Sequence, residues 1–256
     1  MHPLVSLGGA GNSSPLFCVH PVGGHVGEYA PLAWLLAPQP VLGVRSRGLV
    51  DPTLEHSSSV AMITDYADVI AGATPAPYRL VGWSLGGLIA HAVACELERR
   101  GAPVEFIGMI DPPSAMAAPG PDERALAIGM ALAIFHPAPP PRPIQRRATQ
   151  ELPPVGDTGS LAAWCVAHEL LPADAPLVEI DATIALFGIH RALFVGHVPG
   201  VCAAPLRVWN ARGPESHDWS AHTTGACTMT TVGGDHFTIM KPRHIDVIAA
   251  DLRALR

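Results

Sequence analysis

Along the first 110 residues, short apolar runs alternate with longer stretches in which apolar residues recur every three or four positions. Leu16 to His20, bounded by Pro15 and Pro21, predicts a buried strand. Gly23, Gly24 and Gly27 follow as a flexible turn, and Tyr29 to Leu36 has helical spacing that Pro38 stops. Val41 to Arg45 predicts the next strand. Ser57 to Ala71 reads as an amphipathic helix, with Val60, Ile63, Ala67 and Ile70 on one face and Ser57 to Ser59 available as its N-cap. Tyr78 to Trp83 predicts a strand, Leu85 to Arg99 a helix ended by Gly101, and Val104 to Ile110 a strand again. Such alternation predicts a parallel sheet with helices on both faces.

Asp111-Pro112-Pro113 breaks the pattern. From about 112 to 204 the chain is helical in patches, as in Arg124 to Phe135 and Ile180 to Val195, around a proline cluster from Pro137 to Pro143. An apolar, helical insertion of that length predicts a lid over the sheet, the plainer alternative being a helical subdomain with no such role. Leu206 to Trp209 and Cys227 to Val232 resume as strands, and His244 to Leu255 closes the chain as a helix. The expected layout is one domain over 1–256, with its core in 1–111 and 205–256.

Composition adds limits. Of 256 residues, 48% are apolar and only 15% charged, so the apolar excess is expected to line a partner face, a lid or an acyl pocket. Net charge is −6 and no block of Lys and Arg exists, which gives no reason to expect nucleic-acid binding. The longest apolar run, Ala125 to Phe135, is too short to cross a bilayer, so no membrane is expected. No basic region followed by an apolar stretch opens the chain. Cys18, Cys95, Cys165, Cys202 and Cys227 are scattered, without CxxC, and read as reduced thiols of a cytoplasmic protein.

The sharpest motif is Gly82-Trp83-Ser84-Leu85-Gly86, a G-x-S-x-G directly after a strand and directly before a helix. Such a turn is too tight for flanking side chains, forces the serine into a strained conformation and lifts its hydroxyl clear of the sheet; the helix N-terminus favours negative charge there. Ser84 is therefore the candidate nucleophile, in an α/β fold of the α/β-hydrolase kind. It needs a base, and Gly233-Gly234-Asp235-His236-Phe237, after the last strand, offers His236; the rivals are His217, His222 and His244. For the acid, Asp111 ends the strand after the elbow helix, and Glu215 and Asp218 occupy the loop one strand later. Asp111 is preferred because it terminates a strand directly. Oxyanion donors are expected from the N–H of Leu85 and from His20-Pro21-Val22-Gly23-Gly24, by position Val22 with Gly23 as the alternative. Trp83 and His25 are candidate substrate contacts. His217, Asp218 and His222 lie close in sequence, but no metal-ligand spacing appears, so no metal is expected.

Four stretches together resemble the thioesterase domains that end nonribosomal peptide and polyketide synthases. They are Pro15 to Gly24, Tyr78 to Gly87, Ile107 to Asp111 and Gly233 to Phe237, in the expected order, with Gly-Trp-Ser-Leu-Gly-Gly closest to the peptide-synthetase members. The resemblance implies Asp111 as the acid, Val22 and Leu85 as oxyanion donors, and a substrate arriving on the phosphopantetheine arm of an upstream peptidyl or acyl carrier protein. It implies no cofactor bound by the domain itself. No carrier segment is seen, so the chain reads as an excised terminal domain. The implied activity is release of the chain through an acyl-serine, by macrocyclisation or hydrolysis. Alternatives are a proofreading thioesterase or general esterase for short acyl groups, and a non-catalytic scaffold that binds an acyl carrier.

Overall fold

The computed structural model describes residues 2–49, 51–118, 120, 123–135, 160–211 and 217–255. The proline cluster from Pro137 to Pro143 and Glu215 lie outside them. Strands β1 (Leu4–Gly8), β2 (Leu16–Val19), β3 (Val41–Val44), β4 (Tyr78–Trp83), β5 (Val104–Ile110), β6 (Leu206–Asn210) and β7 (Cys227–Thr231) form one sheet in the order β1-β3-β2-β4-β5-β6-β7. All neighbours pair in parallel except β1, which runs antiparallel to β3. Every residue of β2 and β4 is buried, as expected of strands covered on both faces.

Alternate residues of the central strands serve opposite cores. Phe17, Val19, Leu80, Ile107 and Met109 belong to the cluster under α2 (Ser59–Ala73) and α3 (Leu85–Arg99). Leu16, Cys18, Val81, Phe106 and Ile110 belong to the one under α1 (Ala30–Leu36) and the closing helix at Pro242–Ala254. The α2 N-cap is Ser58, whose hydroxyl accepts from Ala61 N–H at 3.1 Å.

Between β5 and β6 the described helices are α4 (Glu123–Phe135), α5 (Leu161–Ala167) and α6 (Leu177–Phe194), with α6 packed against both others; the closing helix is α7. The expected fold therefore holds, with four local differences. Strand β1 and helix α5 were not foreseen. The Tyr29 segment opens as a 3-10 turn, Gly27–Tyr29, before α1 begins. The closing helix starts two residues early because Pro242 suits the first helical turn, where no N–H is needed.

Candidate active site

The elbow shows directly why its residues are what they are. Ser84 sits between β4 and α3 with φ 56° and ψ −131°, a conformation that a non-glycine residue adopts only under constraint. A Cβ at Gly82 would lie 1.9 Å from the Gly86 carbonyl oxygen, and one at Gly86 would lie 2.5 Å from that of Val19. Two backbone hydrogen bonds hold the turn: Ser84 N–H to Ile110 C=O and Gly87 N–H to Ser84 C=O, both 2.9 Å. Leu85 follows as the first residue of α3, so its N–H is one of those a helix leaves without an internal acceptor.

His236 Nε2 stands 2.9 Å from Ser84 Oγ, and His236 Nδ1 stands 2.6 Å from Asp111 Oδ2. The other carboxylate oxygen of Asp111 accepts from Ala211 N–H at 2.8 Å. Burial acts to raise the Asp111 pKa, but the hydrogen bonds from His236 and the Ala211 amide outweigh it and hold the carboxyl below its ordinary value. As a carboxylate, Asp111 can only accept, so Nδ1 carries the proton and Nε2 presents a lone pair to the serine hydroxyl. Asp111 itself is at φ 45°, one step past β5, with its N–H on Trp209 C=O at 2.7 Å. Trp83 donates from its indole Nε1 to the His236 carbonyl at 3.1 Å, and Asp235 caps the turn that carries the histidine, its carboxylate accepting from Phe237 and Thr238 N–H.

The rivals sit elsewhere. The His244 ring lies under Gly233 and Gly234. Nδ1 of His222 faces Gly200 C=O at 3.3 Å, and Asp218 accepts from Ser220 N–H at 2.9 Å. His217 lines a small cavity beside Asp111 and His236 without a direct bond to either among the described residues.

Val22, Leu85, Ser84 and His236 line one cavity of about 320 Å³ together with Met130 of α4 and Phe187 of α6. Met130 also lines a second, mostly apolar cavity of about 550 Å³ with Trp83, His25 and Ile134, and Phe237 borders both. Trp83 and His25 thus border the larger space and not the one around Ser84. His25 is tied by Nε2 to Thr183 Oγ1 of α6 at 2.7 Å, and burial lowers its pKa.

Several supporting residues escaped the sequence reading. Tyr29 donates its hydroxyl to Val19 C=O at 2.7 Å and accepts from Trp83 N–H at 2.6 Å, joining the ends of β2 and β4 just below the site. His20 Nδ1 holds Pro21 C=O at 2.7 Å, the carbonyl of the peptide that bears the Val22 N–H, while its Nε2 accepts from Tyr66 O–H at 2.7 Å. Burial first, then the neighbouring His190, pushes the His20 pKa down to about 3, so this ring stays neutral. His190 of α6 holds Val22 C=O from Nδ1 at 2.7 Å, which orients the peptide bearing the Gly23 N–H. Its Nε2 lies 3.2 Å from Glu55, whose carboxylate also takes hydrogen bonds from His56, Gly48 N–H and Ser46. Burial opposes that charge, yet His190 and His56 together hold the Glu55 carboxyl below its ordinary range.

Residues 14–137 match the family model of the thioesterase domain. Among curated relatives, the malpinin synthetase of Mortierella alpina is 40% identical over 116 residues, 44% of this chain and 2% of that protein. A nonribosomal peptide synthetase of Aspergillus terreus is 34% identical over 127 residues, 49% of this chain and 13% of its own length. The chain therefore spans only a small part of these relatives. Among solved structures, the Vlm2 thioesterase domain superposes with a TM-score of 0.72 at 22% identity, over 98% of this chain and 96% of that one. A four-domain nonribosomal peptide synthetase superposes with a TM-score of 0.81 at 22% identity, over 99% of this chain and 20% of that one. The elbow half of the chain is thus similar to the thioesterase domain, and the chain as a whole shares its fold with the thioesterase domains of nonribosomal peptide synthetases.

Proposed function

We propose that this domain releases a peptidyl or acyl chain held as a phosphopantetheine thioester on an upstream carrier protein, through an ester on Ser84. The carrying observation is the hydrogen-bonded line Asp111–His236–Ser84, at 2.6 and 2.9 Å, opening into the cavity that Val22 and Leu85 share. In this reading, His236 takes the proton of Ser84 as its Oγ attacks the thioester carbonyl, and Asp111 steadies the imidazolium that results. The developing oxyanion is met by the N–H groups of Val22 and Leu85. The thiol departs with the proton from His236, leaving acyl-Ser84. A second nucleophile then attacks: water, giving an acid, or the chain's own amine or hydroxyl, giving a ring. A well-oriented internal nucleophile has an effective molarity on the order of 10⁵ M or more, so a site that folds the chain and excludes water favours cyclisation. The chemistry requires no cofactor of the domain's own.

The same reading treats 1–256 as one domain and 112–204 as a lid. Met130, Ile134 and Phe187, all from that segment, line the two cavities, which supports it. The cavity of about 550 Å³ that meets the Ser84 cavity at Met130 and Phe237 adds room beyond what a short acyl group needs, which favours a long chain over a small one. No described helix is long and apolar enough to cross a membrane. The reading makes the partner a carrier domain and the location cytoplasmic.

The test is turnover of synthetic peptidyl thioesters of graded length by the wild type and Ser84→Ala. Loss on the order of 10⁶-fold is expected for the variant, together with loss of fluorophosphonate labelling. Retention of most activity in Ser84→Ala ends the proposal, and mass spectra of the products divide rings from acids.

A further inference from the structure

On the far side of α3 from its N-terminus, three residues that the proposed chemistry does not use come together. His91 and Cys95, four apart, share one face of the helix, and Cys202 reaches them from the loop leading into β6. One ligand-capable atom from each lies within 4.8 Å of the others. We propose that His91, Cys95 and Cys202 bind a zinc ion, with His197 as the fourth ligand.

His91 is set for the task. Its Nε2 lies 3.0 Å from His222 C=O, an acceptor only, so the proton resides there and Nδ1 keeps its lone pair, 3.9 Å from Cys95 Sγ. A histidine ligand held through its second nitrogen by a backbone carbonyl is the usual support of a metal centre. In a tetrahedral zinc site, nitrogen and sulfur ligands stand roughly 3.5 Å apart, so the His91–Cys95 spacing needs only a small contraction. Cys202 is held by its backbone, its N–H on His222 C=O at 3.2 Å and its C=O taking Thr224 N–H at 2.8 Å. Its Sγ lies 3.7 Å from His91 Nε2 and 3.5 Å from His222 C=O, so to share an ion with Nδ1 the thiol must rotate toward Cys95. Beside them, the Nε2 of His197 is buried with no partner among the described residues, and His197 lines a groove of about 270 Å³ with Cys95.

Two thiolates and two imidazoles make a donor set for zinc, with none of the carboxylate oxygens that magnesium or calcium would ask for. Two thiolates also balance the charge of the ion. Coordination by four protein ligands makes the site structural: it fastens the end of the 112–204 segment to the helix that begins one residue after Ser84. Each bound ion displaces the two thiol protons to solvent, and no oxidation or reduction is involved.

The experiment is a titration of the reduced, metal-free chain with Co(II) as a spectroscopic stand-in for zinc. Thiolate-to-cobalt charge-transfer bands with tetrahedral d–d absorption, saturating at one equivalent, are expected in the wild type and in Cys227→Ser. Cys202→Ser should weaken binding by at least the ~10–100-fold that loss of even an outer partner of a ligand costs. Zinc at a hundredfold excess over Kd should raise Tm by roughly 5–10 °C. Absence of the bands in the wild type, or bands unchanged in Cys202→Ser, overturns the proposal. Should Cys202→Ser fail to fold, alkylation of the wild type decides: zinc must protect Cys95 and Cys202 while leaving Cys227 as reactive as before. Equal alkylation with and without zinc, or a Cys95–Cys202 disulfide as the sole chemistry of the pair, also overturns it.

Discussion

Asp111→Asn isolates one link of the proposed mechanism while leaving the fold intact. Asn tolerates positive φ, so the 45° backbone at this position is not an obstacle. The amide oxygen can go on accepting from Ala211 N–H, as the carboxylate does at 2.8 Å. That places the NH2 group against His236 Nδ1, where the carboxylate oxygen stood 2.6 Å away. A donor there forces Nδ1 to accept, so the ring proton moves to Nε2. Nε2 then points a proton, not a lone pair, at Ser84 Oγ, 2.9 Å off. The base is lost without moving an atom. The expected cost in turnover is about 10⁴-fold, or ~5.4 kcal/mol at 1.36 kcal/mol per decade. The assay is release of thiol from an acyl thioester, with the rate of fluorophosphonate labelling of Ser84 and the Tm measured in parallel. All three together separate chemistry from folding. A loss smaller than tenfold at unchanged Tm would refute the argument, because it would mean that the tautomer of His236 is set by something other than Asp111.

Gly82→Ala should destabilise by on the order of 4 kcal/mol or more, because its Cβ would meet the Gly86 carbonyl at 1.9 Å with backbone on both sides; a thermal melt close to wild type would contradict this. His20 supplies a pH prediction. Its native pKa of about 3 lies below the ordinary 6.5, so between those values the unfolded chain binds a proton that the native chain does not. Stability conferred by the neutral ring is thus complete above the unfolded value and declines as pH falls toward about 3, at up to ~1.4 kcal/mol per pH unit. Denaturant titrations of His20→Gln should show a shallower pH slope than wild type; equal slopes would sink the assignment. Met130→Trp fills the junction of the two cavities and should lower kcat/KM for a long peptidyl thioester well below its effect on a short acyl thioester. Equal effects on both would show that the long chain does not pass that point.

Much of the fold was readable because the central strands are short apolar runs between turn residues, and because α3 carries apolar residues nearly all round. Strand β1 was not readable. Leu4–Gly8 is a partly exposed antiparallel edge with Gly8 and Gly9 at its end, so it lacks the burial that marks the others. Helix α5 is two turns long, too short for its periodicity to stand out. Ser84, Asp111 and His236 were readable as candidates because each follows the end of a strand, and the structure brings the three into one hydrogen-bonded line. The supports were not. The uses of Tyr29, His20 and His190 depend on which carbonyl each reaches across the fold, and nothing local in sequence signals that. Likewise Cys202 stands far along the chain from His91 and Cys95, so no ligand spacing could bring the three together on paper. Placing His25 and Trp83 around a space separate from the one at Ser84 required the packing of α4 and α6.

Ser84 and Asp111 lie one step beyond β4 and β5, and each continues its ladder by one rung, to Ile110 C=O and Trp209 C=O. Their separation is consequently a property of strand registry and not of anything inserted after β5. The stretch from Pro112 to Ala204 can therefore be exchanged as a cassette with the Ser84–Asp111 spacing left standing, provided that a residue in the place of His190 still holds the Val22 carbonyl. Chimaeras that keep the seven strands and exchange this stretch would reshape the two cavities while Ser84 and Asp111 keep their spacing.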